Sequence, residues 1–197
     1  MKARKWPTLF GYVLFIGMMA TGYYYNVTFV PLGLEDLGLR LIGMSEQRVA
    51  MGMGLLAFLS CVIALSFGFL MTWCGWSHDF MTKLRLVFGV ALVQTILTAI
   101  APFIRSESVF LAWIVIASGT LGIRMLDTFS LTVDLIPMRD RGYVAALITA
   151  IAYLAAPVLS GDWVIELFAI SLSGFGATCL STALAIQWRV GGMPVER

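Results

Sequence analysis

The stretch Gly122–Gly142, GIRMLDTFSLTVDLIPMRDRG, decides how the whole chain is read. Its first half is apolar enough for a membrane span, yet it contains Arg124 and Asp127. Its second half runs from Asp134 through Pro137, Arg139 and Arg141 to Gly142, a compact charged turn that opens the next apolar run. Hydrocarbon tolerates ionisable side chains where they pair or face a wet cavity. A span with two of them therefore turns that face away from lipid, and the turn behind it marks a membrane boundary.

Outward from this stretch, composition sets the class. At 197 residues, 60% hydrophobic and 12% charged, the chain does not read as a soluble domain. Charge-free runs cover Trp6–Leu34, Val49–Ser77, Leu86–Ile104, Gly142–Gly161 and Leu167–Trp188. Each reaches about 19 residues or more, enough to cross a ~30 Å hydrocarbon core as a helix. Ser108–Val133 adds a sixth, interrupted only by Arg124 and Asp127. The expectation is an all-α polytopic membrane protein, residues 1–197 forming a single membrane domain. Its six transmembrane helices fall at about 7–32, 47–73, 84–104, 108–135, 142–161 and 163–188.

Several alternatives fall away. The first run is too long for a signal h-region and lacks a clear cleavage site, so it reads as a retained span. Cys61, Cys74 and Cys179 have no paired spacing and read as packing residues, with neither disulfide nor zinc expected. A net charge of +2 gives no argument for nucleic acid. An enzyme is the weakest class, because His78, the only histidine, reads as a solvated loop residue and no phosphate-cradling loop occurs. No expected span holds a histidine or a lysine, so neither histidine-ligated haem nor a retinal Schiff base is expected, and no cofactor is assigned.

Basic residues orient the chain. Lys2, Arg4, Lys5, Lys83, Arg85, Arg139, Arg141, Arg189 and Arg197 fall on one side, and Arg40, Arg48 and Arg105 on the other. Nine against three puts both termini in the cytoplasm, as an even number of spans also requires. The expected location is a bacterial or archaeal plasma (inner) membrane. Trp6, Trp73, Trp76 and Trp188 fall at inner helix ends and Trp113 and Trp163 near outer ones, where headgroups favour indole rings.

Helix one ends in Tyr23-Tyr24-Tyr25-Asn26-Val27-Thr28, either an outer aromatic belt or a cavity wall with Tyr24 and Asn26 towards a solute. Gly33–Ser45 reads as a short interfacial turn. In helix two, Gly52, Gly54, Ser60, Ser66 and Gly68 favour close helix packing. Helix three, with only Gln94 and Thr95 of polar interest, reads as packing. In helix four, Arg124 lies about 24 Å along the axis from Ser108. Arg124 and Asp127, three residues apart, can pair, and Asp134 lies two turns beyond Asp127. The pair is either a neutralised staple between helices or a site for a proton or solute. Glu166, one turn inside helix six, either snorkels to the interface or faces the cavity.

Three junctions carry a resemblance. Gly68-Phe-Leu-Met-Thr72-Trp73-Cys74-Gly75-Trp76-Ser77 resembles the loop signature between helices two and three of the major facilitator superfamily. Gly68 and Gly75 match; Thr72 stands where the family has aspartate, and Trp73, Trp76 and Ser77 replace basic residues. Asp134, Pro137, Arg141 and Gly142 are similar to the family's junction between helices four and five, where proline stops one helix and arginine-glycine opens the next. There the glycine would allow close approach to helix two. Ala152–Gly161, with Pro157, is similar to the family's kinked helix-five motif.

The resemblance implies an N-terminal six-helix half built of two inverted three-helix repeats, with helices one and four lining a pathway. It implies gating or junction roles for Gly68, Gly75, Asp134, Pro137, Arg141 and Gly142, and a kink at Pro157. Two functions stay open. The chain is half of a secondary transporter for a small solute, ion-coupled or exchanging, and completed by a second six-helix half from itself or another chain. Alternatively it is a transport-inactive structural or assembly subunit of a larger membrane complex. The lipid bilayer is a partner under both.

Overall fold

The computed structural model describes residues 17, 19–20, 22–23, 30–136 and 138–158. Among them every element is helical. Helix α1 covers Val30–Asp36 and passes into a π-helical turn, Leu37–Ile42. Helix α2 is Glu46–Trp73, α3 is Phe80–Ile100 with a 3-10 turn Ala101–Phe103 behind it, α4 is Glu107–Leu135 and α5 is Arg141–Val158. Three stretches, Glu46–Trp73, Phe80–Phe103 and Glu107–Asp134, are long and apolar enough to cross a membrane, consistent with an integral membrane protein. The sixth expected span, with Glu166, and most of the first lie outside the described residues.

Local chemistry places the ends of these helices. No proline interrupts α2, α3 or α4. Asp79 caps α3, accepting from the Met81 amide at 3.1 Å and from Thr82 Oγ1 at 2.6 Å. Gly75, at φ 71°, supplies the left-handed residue that stops α2, so a turn requires this glycine. Ile136 leaves α4 in extended backbone, φ −108° and ψ 122°, the conformation a following proline imposes. Pro137 itself lies outside the described residues. Pro157 falls within α5.

The expected interfacial turn at Gly33–Ser45 is instead helical as far as Ile42. Leu34, Leu37 and Gly38 are buried there, so the segment packs as core. A Cβ on Gly38 would lie 2.7 Å from Val49 Cγ2, which is how closely this backbone presses on α2. Gly43, at φ 75°, provides the stop.

Helix α4 is the hub, packing against both α2 and α3. It runs parallel to α2. At one end Arg48 Nη1 donates to both carboxylate oxygens of Glu107, at 2.8 and 2.6 Å. Further along, a Cβ on Gly122 would meet Ser60 O at 2.6 Å and Ala64 N at 3.0 Å, backbone on backbone. Of the glycines expected to pack in α2, Gly52 meets Ile114 and Gly68 meets Leu126, whereas Gly54 faces open space. Helix α3 runs antiparallel to α4, with Lys83 beside Asp134 and Trp113 beside Leu97.

Trp113 departs from the expected headgroup belt. It is buried, stacks on Phe110 at 6.4 Å with the rings 4° apart, and its Nε1 donates to Leu97 O at 3.0 Å. A buried indole needs an acceptor for its N–H, and here an α3 carbonyl provides one inside the bundle. Trp73 and Trp76 are exposed at the opposite end. Gly142 departs too: a Cβ there meets nothing among the described residues, so no close helix approach requires it. Val144 and Ile148 seat α5 instead, in a cluster with Leu84, Leu131 and Ile136. A second cluster, around Leu34, Leu37, Leu97, Phe110 and Ile114, fills the Arg48–Glu107 end.

Lipid is as apolar as leucine, so helix contacts in a bilayer rest on close packing and polar pairs. Gly122→Ala should therefore destabilise the bundle by about 1–3 kcal/mol through overpacking against α2. Gly119→Ala, where a Cβ meets nothing, should leave stability unchanged or raise it by up to about 1 kcal/mol. Unfolding in mixed detergent micelles measures both.

Candidate functional site

The seam between α3 and α4 is where the ionisable residues meet. On α3 the buried residues Lys83, Val87, Val90, Gln94, Leu97 and Ala101 recur at alternating steps of four and three. On α4 the same stripe holds Phe110, Trp113, Ala117, Leu121, Arg124, Asp127 and Leu131. Such spacing keeps one face of a helix on its neighbour. An apolar cluster lies towards each end of the seam, and the polar residues fall between the two clusters and beyond the second, where Lys83 meets Asp134.

Arg124 is 5% exposed, and its Nη1 donates to Gln94 Oε1 across the seam. Its guanidinium lies under Gly22, a helical residue ahead of α1, where a Cβ would sit 2.6 Å from Nε and 2.7 Å from Nη2. Only glycine leaves that space. Asp127, 0% exposed, has neither carboxylate oxygen in a well-formed hydrogen bond among the described residues, although the Val87 backbone N–H of α3 lies near it. Lys83, 2% exposed, places Nζ 2.7 Å from Asp134 Oδ2, and the Asp134 side chain is 25% exposed. While so bonded, Lys83 also attracts Asp127 electrostatically, and Asp134 repels it.

The expected Arg124–Asp127 pair is therefore not formed. Helical side chains tilt towards the N-terminus of their own helix, so the long Arg124 leans away from a carboxylate that follows it. Acid-before-base is also the favoured order for such pairs, and here the base comes first. Gln94 and Gly22 receive the guanidinium instead. Helix three is correspondingly more than packing, since Gln94 and Lys83 are its contributions to the seam. Lys83, expected just outside a span, is inside α3 and buried. The signal for both was the face they share with Val87, Val90 and Leu97.

The other sequence candidates separate by position. Arg141 caps α4, its Nε donating to Ile136 O at 3.0 Å and Nη2 to Val133 O at 2.9 Å, which satisfies carbonyls that a helix end leaves open. Thr72 returns its hydroxyl to Gly68 O of its own helix at 3.0 Å. Tyr24 and Asn26 lie outside the described residues. An open depression lined by Ser45, Arg48, Arg105 and Glu107 sits at the far end, where Glu107 already holds Arg48.

No family model, curated protein or solved structure matches this chain. The chemistry of the site rests on its own geometry. Two cations and two carboxylates share one seam, and Asp127 alone of these four has no bonded partner among the described residues. An uncompensated buried carboxylate is costly, so this position is suited to take up a proton or a cationic group. Gln94→Leu would remove the acceptor that α3 offers Arg124. It should cost about 1.5–3 kcal/mol, the range for hydrogen bonds to charged groups, read as a lowered midpoint in detergent unfolding.

Proposed function

We propose that this chain is a major-facilitator-type membrane bundle, one half of a secondary transporter for a small solute, with Asp127 as the proton-carrying group. The observation that carries the reading is the fully buried Asp127 carboxyl, which no cation bonds among the described residues, in a seam whose other charges are each held. Intramembrane ionisable groups mark ion pathways by default. A structural staple would give this carboxylate a bonded cation, and Arg124 is turned elsewhere. The junctions at Asp134, Pro137, Arg141 and Gly142 and the glycines at 68 and 75 support the family reading. A six-helix half is completed by a second half, from another copy or another chain.

One observation favours the transport-inactive alternative, a structural or assembly subunit of a larger complex. Where the family carries a gating aspartate, Thr72 bonds back to its own helix, and Gly75 is accounted for by turn geometry. Mass and composition of the particle extracted in mild detergent separate the two readings. A homodimer, or a pair with one other six-helix chain, supports the transporter; many unrelated subunits support the framework. In membrane vesicles energised by a pH gradient and given pooled labelled solutes, Asp127→Asn should lower uptake about tenfold or more, equivalent to 1.4 kcal/mol. The amount of assembled protein should not change. Equal uptake by wild type and variant rejects the proton role.

A further inference from the structure

We infer that Lys83 is a positioning residue that exchanges Asp134 for Asp127 as its carboxylate partner. The inference rests on Asp127 being the group that gains and loses a proton. Lys83 is 2% exposed, and its Nζ sits 2.7 Å from Asp134 Oδ2 while its charge reaches Asp127. Asp127 and Asp134 lie on the same stripe of α4, seven residues apart in sequence, or about 10.5 Å along the axis. Lys83 meets the Asp134 end of this stripe from the antiparallel helix, whose next turn brings Val87 against Asp127, and it does so on a flexible four-carbon stem with three rotatable donors.

The two carboxylates differ in what they lose when the lysine leaves. Asp134, 25% exposed at the end of α4, is solvated once freed; Asp127, 0% exposed, has only the seam. With a proton on Asp127 the lysine stays with Asp134. When that proton departs, the bare carboxylate draws the lysine inward and Asp134 turns to water. No bond other than the O–H is made or broken, and the buried Lys83 keeps an ionised carboxylate beside it in both arrangements. Of the other ionisable groups near the seam, Arg85 on α3 and Tyr143 on α5 are exposed, and Arg139 pairs with Asp140. Arg124 is held by Gln94, Arg141 by the carbonyls of α4, and the Tyr23 ring meets that of Tyr153.

Lys83 is the only lysine beyond Lys5, so its acylation by a membrane-permeant N-hydroxysuccinimide ester is resolved peptide by peptide by mass spectrometry. The test uses the full chain in its extracted particle. In Asp134→Asn, Lys83 should stay as protected as in wild type, because Asp127 receives it. In Asp127→Asn with Asp134→Asn, it should react about tenfold faster, the factor that 1.4 kcal/mol of lost protection produces. Fast labelling in Asp134→Asn alone overturns the exchange, and that single variant decides if the double variant does not assemble. A double variant as protected as wild type also overturns it, since burial alone would then shield the amine. Uptake lost in Asp127→Asn beside fast labelling in Asp134→Asn rejects the exchange and leaves the proton role standing. Uptake untouched by Asp127→Asn rejects the proton role itself.

Discussion

Everything in this bundle is arranged around two ionisable residues one turn apart on a helix that crosses an apolar medium. A charged side chain at mid-membrane costs about 2.5–3.5 kcal/mol on insertion scales, more without relief. Arg124 finds that relief in Gln94 of α3 and in the space that Gly22 leaves open. Asp127 finds burial without a bonded cation among the described residues. From this asymmetry two constraints follow: α3 must lie along α4 in one register, and the backbone at Gly22 must approach closely enough to cover a guanidinium.

Register is then set from both ends of the seam. Lys83–Asp134 fixes one end, and the indole of Trp113 on the Leu97 carbonyl fixes the other. On the opposite face α4 meets α2 through Gly122, where two backbones nearly touch. Within the span that contact is close backbone packing, with its one ion pair, Arg48–Glu107, exposed at the end, whereas the seam with α3 carries buried polar contacts. The layer of Gln94, Arg124 and Asp127 divides the buried interior into two apolar clusters.

Much of the architecture is legible in the sequence because membrane spans announce themselves by length and lack of charge. The stops at Gly75 and before Pro137 follow from backbone sterics that need no partner. The site was half legible. Arg124, Asp127 and Asp134 stand out as charges in an apolar run, but spacing alone cannot say which way a long side chain leans, so an Arg124–Asp127 pair is open in the sequence and absent from the seam. Lys83 reads in the sequence as one of the inner-side basic residues just ahead of a span, because its burial depends on Asp134, fifty-one residues away. Gly33–Ser45 was read from its glycines and charges as a turn. Its leucines, packed against α2, decide otherwise.

The adjacency of α3 and α4 also bears on how the chain enters the membrane. Both residues of α3 that answer the charges of α4, Lys83 and Gln94, are synthesised before those charges emerge. The short link between the helices, from Ile104 to Ser106, lets α4 fold back on its predecessor as soon as it leaves the ribosome. The insertion machinery therefore receives these two spans most cheaply as one hairpin, with Arg124 partnered before it meets lipid. Helix α2 meets α4 within the span through Gly122 and a backbone carbonyl, and its one ion pair with α4, Arg48–Glu107, is exposed at the helix ends, so its docking leaves no buried ion bare.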